Sequence, residues 1–143
     1  MRKIVVGIDG SEDSRRALRW ALDEARLRGA EVHAVHAWAY PVMAGSFEAI
    51  APMLNDLDLG AEAANSLERD IKEVTAGDET VKIHREVKQG PAASALLQSS
   101  RDADLLVVGS RGLGGFRGLL LGSVGQQCAQ HARCPVVIVP RDE

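Results

Sequence analysis

Five short aliphatic runs divide this chain, and a stretch with helical spacing separates each run from the next. The runs are Lys3–Ile8, Glu31–Ala37, Val81–Val87, Asp104–Val108 and Pro135–Pro140. In the first, fourth and fifth, apolar side chains fall on consecutive positions, as in strands buried on both faces. The third alternates with period two, which predicts one wetter face. Between them, Ala17, Leu18, Ala21, Leu22 and Ala25 recur at helical spacing, as do Ala61, Ala64, Leu67, Ile71 and Val74. Ala92, Ala95, Leu96 and Leu97 mark a short helix, and residues 123–132 a last one. The order β-α-β-α-β-α-β-α-β predicts an α/β fold: one open five-stranded parallel sheet with helices on both faces. Residues 1–143 read as a single domain, since about 150 residues per domain is the usual scale. Aromatics make up 3% of the chain, so the core has to be aliphatic.

Punctuation agrees with the periodicity. Asp9-Gly10-Ser11 ends the first strand, and Ser11 caps a helix with Glu12 and Asp13 in its first turn. Gly29 stops that helix, Gly77-Asp78 closes the next, and Gly90-Pro91 opens the third. Residues 38–60 keep no period and contain Pro41, Gly45, Pro52 and Gly60, which predicts a long loop.

Composition excludes several functions. The formal net charge is −3 and no Lys/Arg run exceeds two residues, so nucleic acid is not an expected partner. No apolar run approaches the 18 residues or so of a membrane span. The first residues reach Asp9 too soon to form a signal-peptide core. Two cysteines make no disulfide framework, which fits a reducing cytoplasm. Cys128-x-x-His131-x-x-Cys134 offers three metal ligands where a closed zinc site wants four, so no metal is expected there. His33 and His36 sit three apart on a strand and point to opposite faces, so they are not a ligand pair.

In open α/β sheets, ligands bind beyond the carboxyl ends of the strands. Two segments leave strands there: Asp9 after the first, and residues 109–123 after the fourth. The second holds six glycines in 15 residues, at positions 109, 112, 114, 115, 118 and 122. Glycine lets backbone amides approach a ligand closely. Gly122-Ser123 then opens a helix, with Ser123 as N-cap, and a helix start is a ready anion site. Strand, glycine loop and helix start together propose a phosphate cradle. Neither the P-loop nor the dinucleotide fingerprint fits these glycines.

Gly109-x-x-Gly112, nine residues, then Gly122-Ser123 resembles the nucleotide loop of ATP-binding universal stress proteins. Residues 5–11, 104–112 and 135–139 resemble that family's first strand and turn, fourth strand and loop, and last strand. The resemblance covers essentially the whole chain and implies strand order 3-2-1-4-5, a Rossmann-like arrangement. It implies ATP, with Mg²⁺, at the strand ends. Asp9 would accept the ribose hydroxyls, and Ala37 would meet the adenine edge through its backbone. Gly109 and Gly112 would line the phosphates, with Gly122, Ser123 and Val124 binding them from the helix start. Arg111 and Arg117 would add charge. The resemblance also implies a homodimer through the last strand, Val136–Val139.

The expected function is therefore a nucleotide-dependent regulator in the cellular stress response. Occupancy would order residues 38–60 and the glycine loop. A nucleotide-free dimeric interaction module is the alternative. No Walker-type acid or Lys-Ser/Thr pair supports dedicated catalysis, leaving at most slow ATP hydrolysis.

Overall fold

A computed structural model describes residues 2–39, 58–111 and 121–141. Nine elements follow in order: β1 (Lys3–Ile8), α1 (Glu12–Arg28), β2 (Glu31–Trp38), α2 (Leu59–Thr75), β3 (Ile83–Gln89), α3 (Ala92–Ser99), β4 (Leu105–Gly109), α4 (Ser123–His131) and β5 (Val136–Val139). The five strands form one sheet of order β3-β2-β1-β4-β5, and every neighbouring pair is parallel. The expected fold class and strand order are both present.

The strand patterns show how the sheet is covered. Alternate residues face opposite sides. Ile4, Val6, Ile8, Val32, Ala34, Leu105 and Val107 pack with Ala17, Leu18, Ala21, Leu67 and Ile71, so α1 and α2 cover one side. Val5, Val35, Leu106 and Val108 pack with Ala95, Leu96 and Cys128, so α3 and α4 cover the other. The third strand begins two residues later than its alternation suggests. Val81 is buried, but the backbone bonds to β2 begin only at Lys82, whose carbonyl accepts from Val32 N–H at 3.0 Å, and paired residues begin at Ile83.

Helix ends follow local chemistry. The Ser11 hydroxyl accepts from Ser14 N–H at 3.1 Å, Glu12 and Asp13 fill the positive first turn of α1, and Gly29 ends it at φ 67°. Asp58 caps α2 by accepting from Ala61 N–H at 3.0 Å. The left-handed residue closing α2 is Ala76, at φ 52°, with Gly77 continuing the turn at φ 87°. Leu59 and Gly60 belong to α2, so the helix starts before the predicted loop was expected to end. At its other end the predicted loop starts too early, since Trp38 still belongs to β2, and residues 40–57 lie outside the described residues. No helix among the described residues is long and apolar enough to cross a membrane.

Candidate functional site

Strands β1 and β4 are neighbours, yet the helices that follow them lie on opposite sides of the sheet. Their outgoing segments diverge and open a crevice at the carboxyl edge, the topological switch point of such sheets. A cavity of about 280 Å³ occupies it. Asp9, Ala37, Gly109, Arg111, Gly122, Ser123 and Val124, all singled out in the sequence, line this cavity together. Gly112 and Arg117 lie outside the described residues.

Asp9 is held in the turn after β1. Its Oδ1 accepts from Ser11 N–H at 2.9 Å and from the Ser11 hydroxyl, and its own N–H donates to Ser14 Oγ at 3.3 Å. The same serines cap α1, so helix start and carboxylate orientation are one unit. Asp9 is thus a turn residue as well as part of the cavity wall. Gly10, at φ 85°, lets the chain turn sharply, and its carbonyl accepts from Arg15 at 3.0 Å.

The glycine segment is tied at both ends. Ser110 N–H donates to Val139 O at 3.1 Å, and Gly122 N–H donates to Ser110 O at 2.7 Å. That second bond brings residues 110 and 122 side by side, so the chain leaves and re-enters at one point. It also occupies the Gly122 amide, leaving that glycine to shape the turn. Gly122, not Ser123, is the N-cap of α4; it is extended at ψ 170° and has no side chain to bond the first turn. Ser123 is the first helical residue. The difference arises because the Gly122 carbonyl, not that of Ser123, accepts the first helical bond, from Gln126 N–H at 3.0 Å. With no side-chain cap, α4 presents first-turn N–H groups that have no partner within the helix, at the positive end of its dipole. Arg111 adds a guanidinium at the cavity wall, and its buried Nε has no partner among the described residues. Backbone donors, a helix dipole and a guanidinium around one cavity make an anion-suited site.

Gly109 has a packing reason of its own. A Cβ there would lie 2.8 Å from the Asp13 carbonyl oxygen, so the end of β4 presses directly against the backbone of α1. Asp13 itself is buried and pairs with Arg16 at 2.7 Å and Arg141 at 3.0 Å. Burial opposes its ionisation, but the two guanidiniums outweigh that and hold its carboxyl below the ordinary range.

The sequence reading missed the other walls. Ser14, Val35 and Leu96 also line the cavity. Val35 and Leu96 carry no polar signal, and Ser14 lies in the first turn of α1. It also left Asp70 unnoticed and His36 unconnected to it, since no motif links the two. Asp70 on α2 is buried and meets Arg15 at 3.1 Å through Oδ1, while its Oδ2 and His36 Nδ1 are buried without a partner among the described residues. Burial pushes the His36 imidazole below its ordinary pKa, against the pull of Asp70 and Asp9. Cys128 is fully buried and Cys134 half-buried, both as free thiols. Burial raises the Cys128 pKa to about 11, which makes it inert packing.

The architecture defines a doubly wound α/β protein with an anion-suited crevice at its switch point. Comparison with known proteins gives the family. The model of the universal stress protein family matches residues 1–140, and the chain belongs to that family. It is 39% identical over 140 residues to a universal stress protein of Mycolicibacterium smegmatis, covering 95% of this chain and 45% of that one. The chain thus spans about half the length of the curated relatives it matches. Among solved structures, universal stress protein UspA from Lactobacillus plantarum superposes with a TM-score of 0.81 at 22% identity, covering 96% of this chain and 97% of that one. A universal stress protein solved in complex with cAMP superposes with a TM-score of 0.69 at 27% identity, covering 96% of each chain.

Proposed function

We propose that this chain is an adenine-nucleotide-binding regulator in the stress response, with ATP and Mg²⁺ as its ligand. The carrying observation is the meeting of Asp9, the uncapped start of α4 and the unpartnered Arg111 Nε around one cavity. Asp9 takes the ribose, since a carboxylate suits a diol. The Ala37 backbone takes the adenine edge. Gly109 and Gly112 allow close approach of the phosphates, and the Ser123 and Val124 amides with Arg111 take their charge. The cAMP-bound relative supports an adenine nucleotide as the ligand class. The residues around the cavity fit the triphosphate's charge. Mg²⁺ would be held chiefly by the phosphates and water, because it seldom sits in an all-protein cage.

We further propose a cytoplasmic homodimer paired through β5. That strand is a sheet edge, and Val136, Val137 and Ile138 stay half-buried on it. An edge strand offers unpaired backbone groups to a second copy.

Thermal unfolding with Mg-ATP, Mg-GTP and no nucleotide tests the reading. Ligand at about 100 times its Kd adds roughly 2.7 kcal/mol, several degrees in Tm. A rise with ATP alone, lost in Asp9→Ala and Arg111→Gln, is expected. No rise with either nucleotide at millimolar concentration would sink the proposal.

A further inference from the structure

A second polar cluster stands near the amino end of β2 and β3, away from the crevice. His33 on β2 lies opposite His84 on β3 in the strand register. Their rings stack, with centroids 4.2 Å apart and planes 19° apart. Each imidazole also meets a carboxylate on the diagonal of the other strand. His33 Nδ1 lies 2.8 Å from Glu86, and His84 Nε2 lies 2.8 Å from Glu31. Alternation puts all four side chains on the side of the sheet that carries α3 and α4. Around them, Ser99 at the end of α3 donates to Glu86 at 3.4 Å, Lys82 approaches Glu31 at 3.7 Å, and Lys88 approaches Glu86 at 3.9 Å. Nothing in the proposed nucleotide reading uses these residues.

We infer that Glu31, His33 and His84 form a site for one divalent transition-metal ion of the zinc type, with Glu86 positioning the His33 ring. One ligand atom from each of the three lies within 4.8 Å of the other two. Four-coordinate zinc, with bonds of about 2.0–2.1 Å, holds ligand atoms about 3.3 Å apart. Closing that difference takes at most about 1.5 Å of side-chain rotation, since the backbone register already sets the two histidines side by side. The face-to-face rings turn toward a shared ion, which exchanges stacking for coordination and leaves the strands in place.

The donor set selects the metal. Two imidazoles and a carboxylate suit zinc, nickel or copper, whereas magnesium and calcium prefer oxygen alone. The Glu86 contact occupies His33 Nδ1 and leaves Nε2 for the ion, and a carboxylate on the far nitrogen is how metal-bound histidines are commonly oriented. Ser99 in turn steadies Glu86. Three protein ligands leave the fourth position to water or an anion. The ion reaches the site from solvent, because the His84 side chain is 34% and the Glu31 side chain 47% exposed. Lys82 and Lys88 compete for the two carboxylates, so binding is weaker than in a closed four-ligand site.

Titration of the wild-type chain with zinc chloride, followed by calorimetry and by the histidine ring proton resonances, tests the site. The expected result is one ion per chain, with the His33 and His84 resonances shifting and those of His36 and His131 unmoved. His33→Gln and His84→Gln should each weaken binding at least tenfold. Glu86→Gln should weaken it by about ten- to a hundredfold at unchanged stoichiometry, the usual cost of losing an orienting carboxylate. Magnesium should leave the rings unaffected. No zinc binding, or binding that moves only His131 or survives loss of both His33 and His84, would overturn the assignment. Because the resonances are read on the unmodified chain, a variant that fails to fold cannot hide that outcome.

Discussion

The two sides of the sheet are built differently. One carries α1 and α2, each of 17 residues, and its buried apolar cluster runs unbroken from β3 to β5. The other carries α3 and α4, of 8 and 9 residues, over a far smaller cluster. At 1.5 Å per residue, helices that short reach about 12–14 Å, so among the described residues both ends of the strands are left partly bare on that side. The cavity opens at one bared end and the His33–His84 cluster at the other. Stability is concentrated on the thick side, and room for ligands on the thin one.

The largest expected effect sharpens that contrast. Leu18 and Ile71 are fully buried on the thick side. Leu18→Ala and Ile71→Ala should each cost about 3–4 kcal/mol, from lost burial plus an unfilled void. Leu96 is buried too, but it borders the cavity and so lacks contacts with described residues on one flank. Leu96→Ala should cost about 2 kcal/mol and should also weaken nucleotide binding. Urea unfolding of the three variants decides the matter. Equal losses would mean that the thin side is as well packed as the thick one.

Two glycines give the next test. Gly109 faces the thick side, where an added methyl meets rigid backbone, the Asp13 carbonyl carbon at 2.9 Å and its oxygen at 2.8 Å. Gly7 faces the thin side, where the same methyl meets the tip of the Leu96 side chain, also at 2.8 Å. A side-chain tip can turn aside into the adjoining cavity; a helix backbone cannot. Gly109→Ala should therefore cost about 2–3 kcal/mol and Gly7→Ala about 1 kcal/mol or less. If Gly7→Ala proves the costlier, Leu96 is locked and the cavity is not the soft boundary it looks.

The same asymmetry explains what the sequence revealed. Apolar runs such as Ile4-Val5-Val6 and Leu105–Val108 are buried on both faces, so periodicity alone identified the parallel sheet. Asp9, Gly109, Gly122 and Ser123 were legible because each sits at a strand end or helix start, where glycine, aspartate and serine are strong local signals, whereas Ala37, Arg111 and Val124 came only from the family resemblance. What stayed hidden depends on partners distant along the chain. His33 was set aside because its sequence neighbour His36 faces the other way; its real neighbour, His84, arrives only through the β2–β3 register. Asp70 on α2 acts on His36 of β2 only through its charge, and no local pattern links the two. Serine favours a cap position, which points to Ser123, whereas the Gly122 carbonyl accepts the first helical bond and puts the cap one residue earlier.

The smallest expected effect concerns His36, which faces the thick side and is half-buried there. Burial lowers its folded-state pKa, and the attraction of Asp70 and Asp9 offsets this only in part. In the unfolded chain an imidazole takes up its proton near pH 6.5. As pH falls through about 6.5, the unfolded state gains a proton that the native state still resists, so stability is lost. The loss grows until the depressed native pKa is reached, and above about pH 6.5 the full stability is present. Wild-type unfolding free energy should therefore decline between pH 7 and pH 5.5. His36→Gln keeps a polar side chain there without a group that titrates in this range, and its profile should be flatter. Because every other titrating group is common to both proteins, subtracting one profile from the other isolates His36. Parallel profiles would show that His36 charges as easily in the folded protein as in the unfolded chain, and the thick side would then be wetter at this end than its packing indicates.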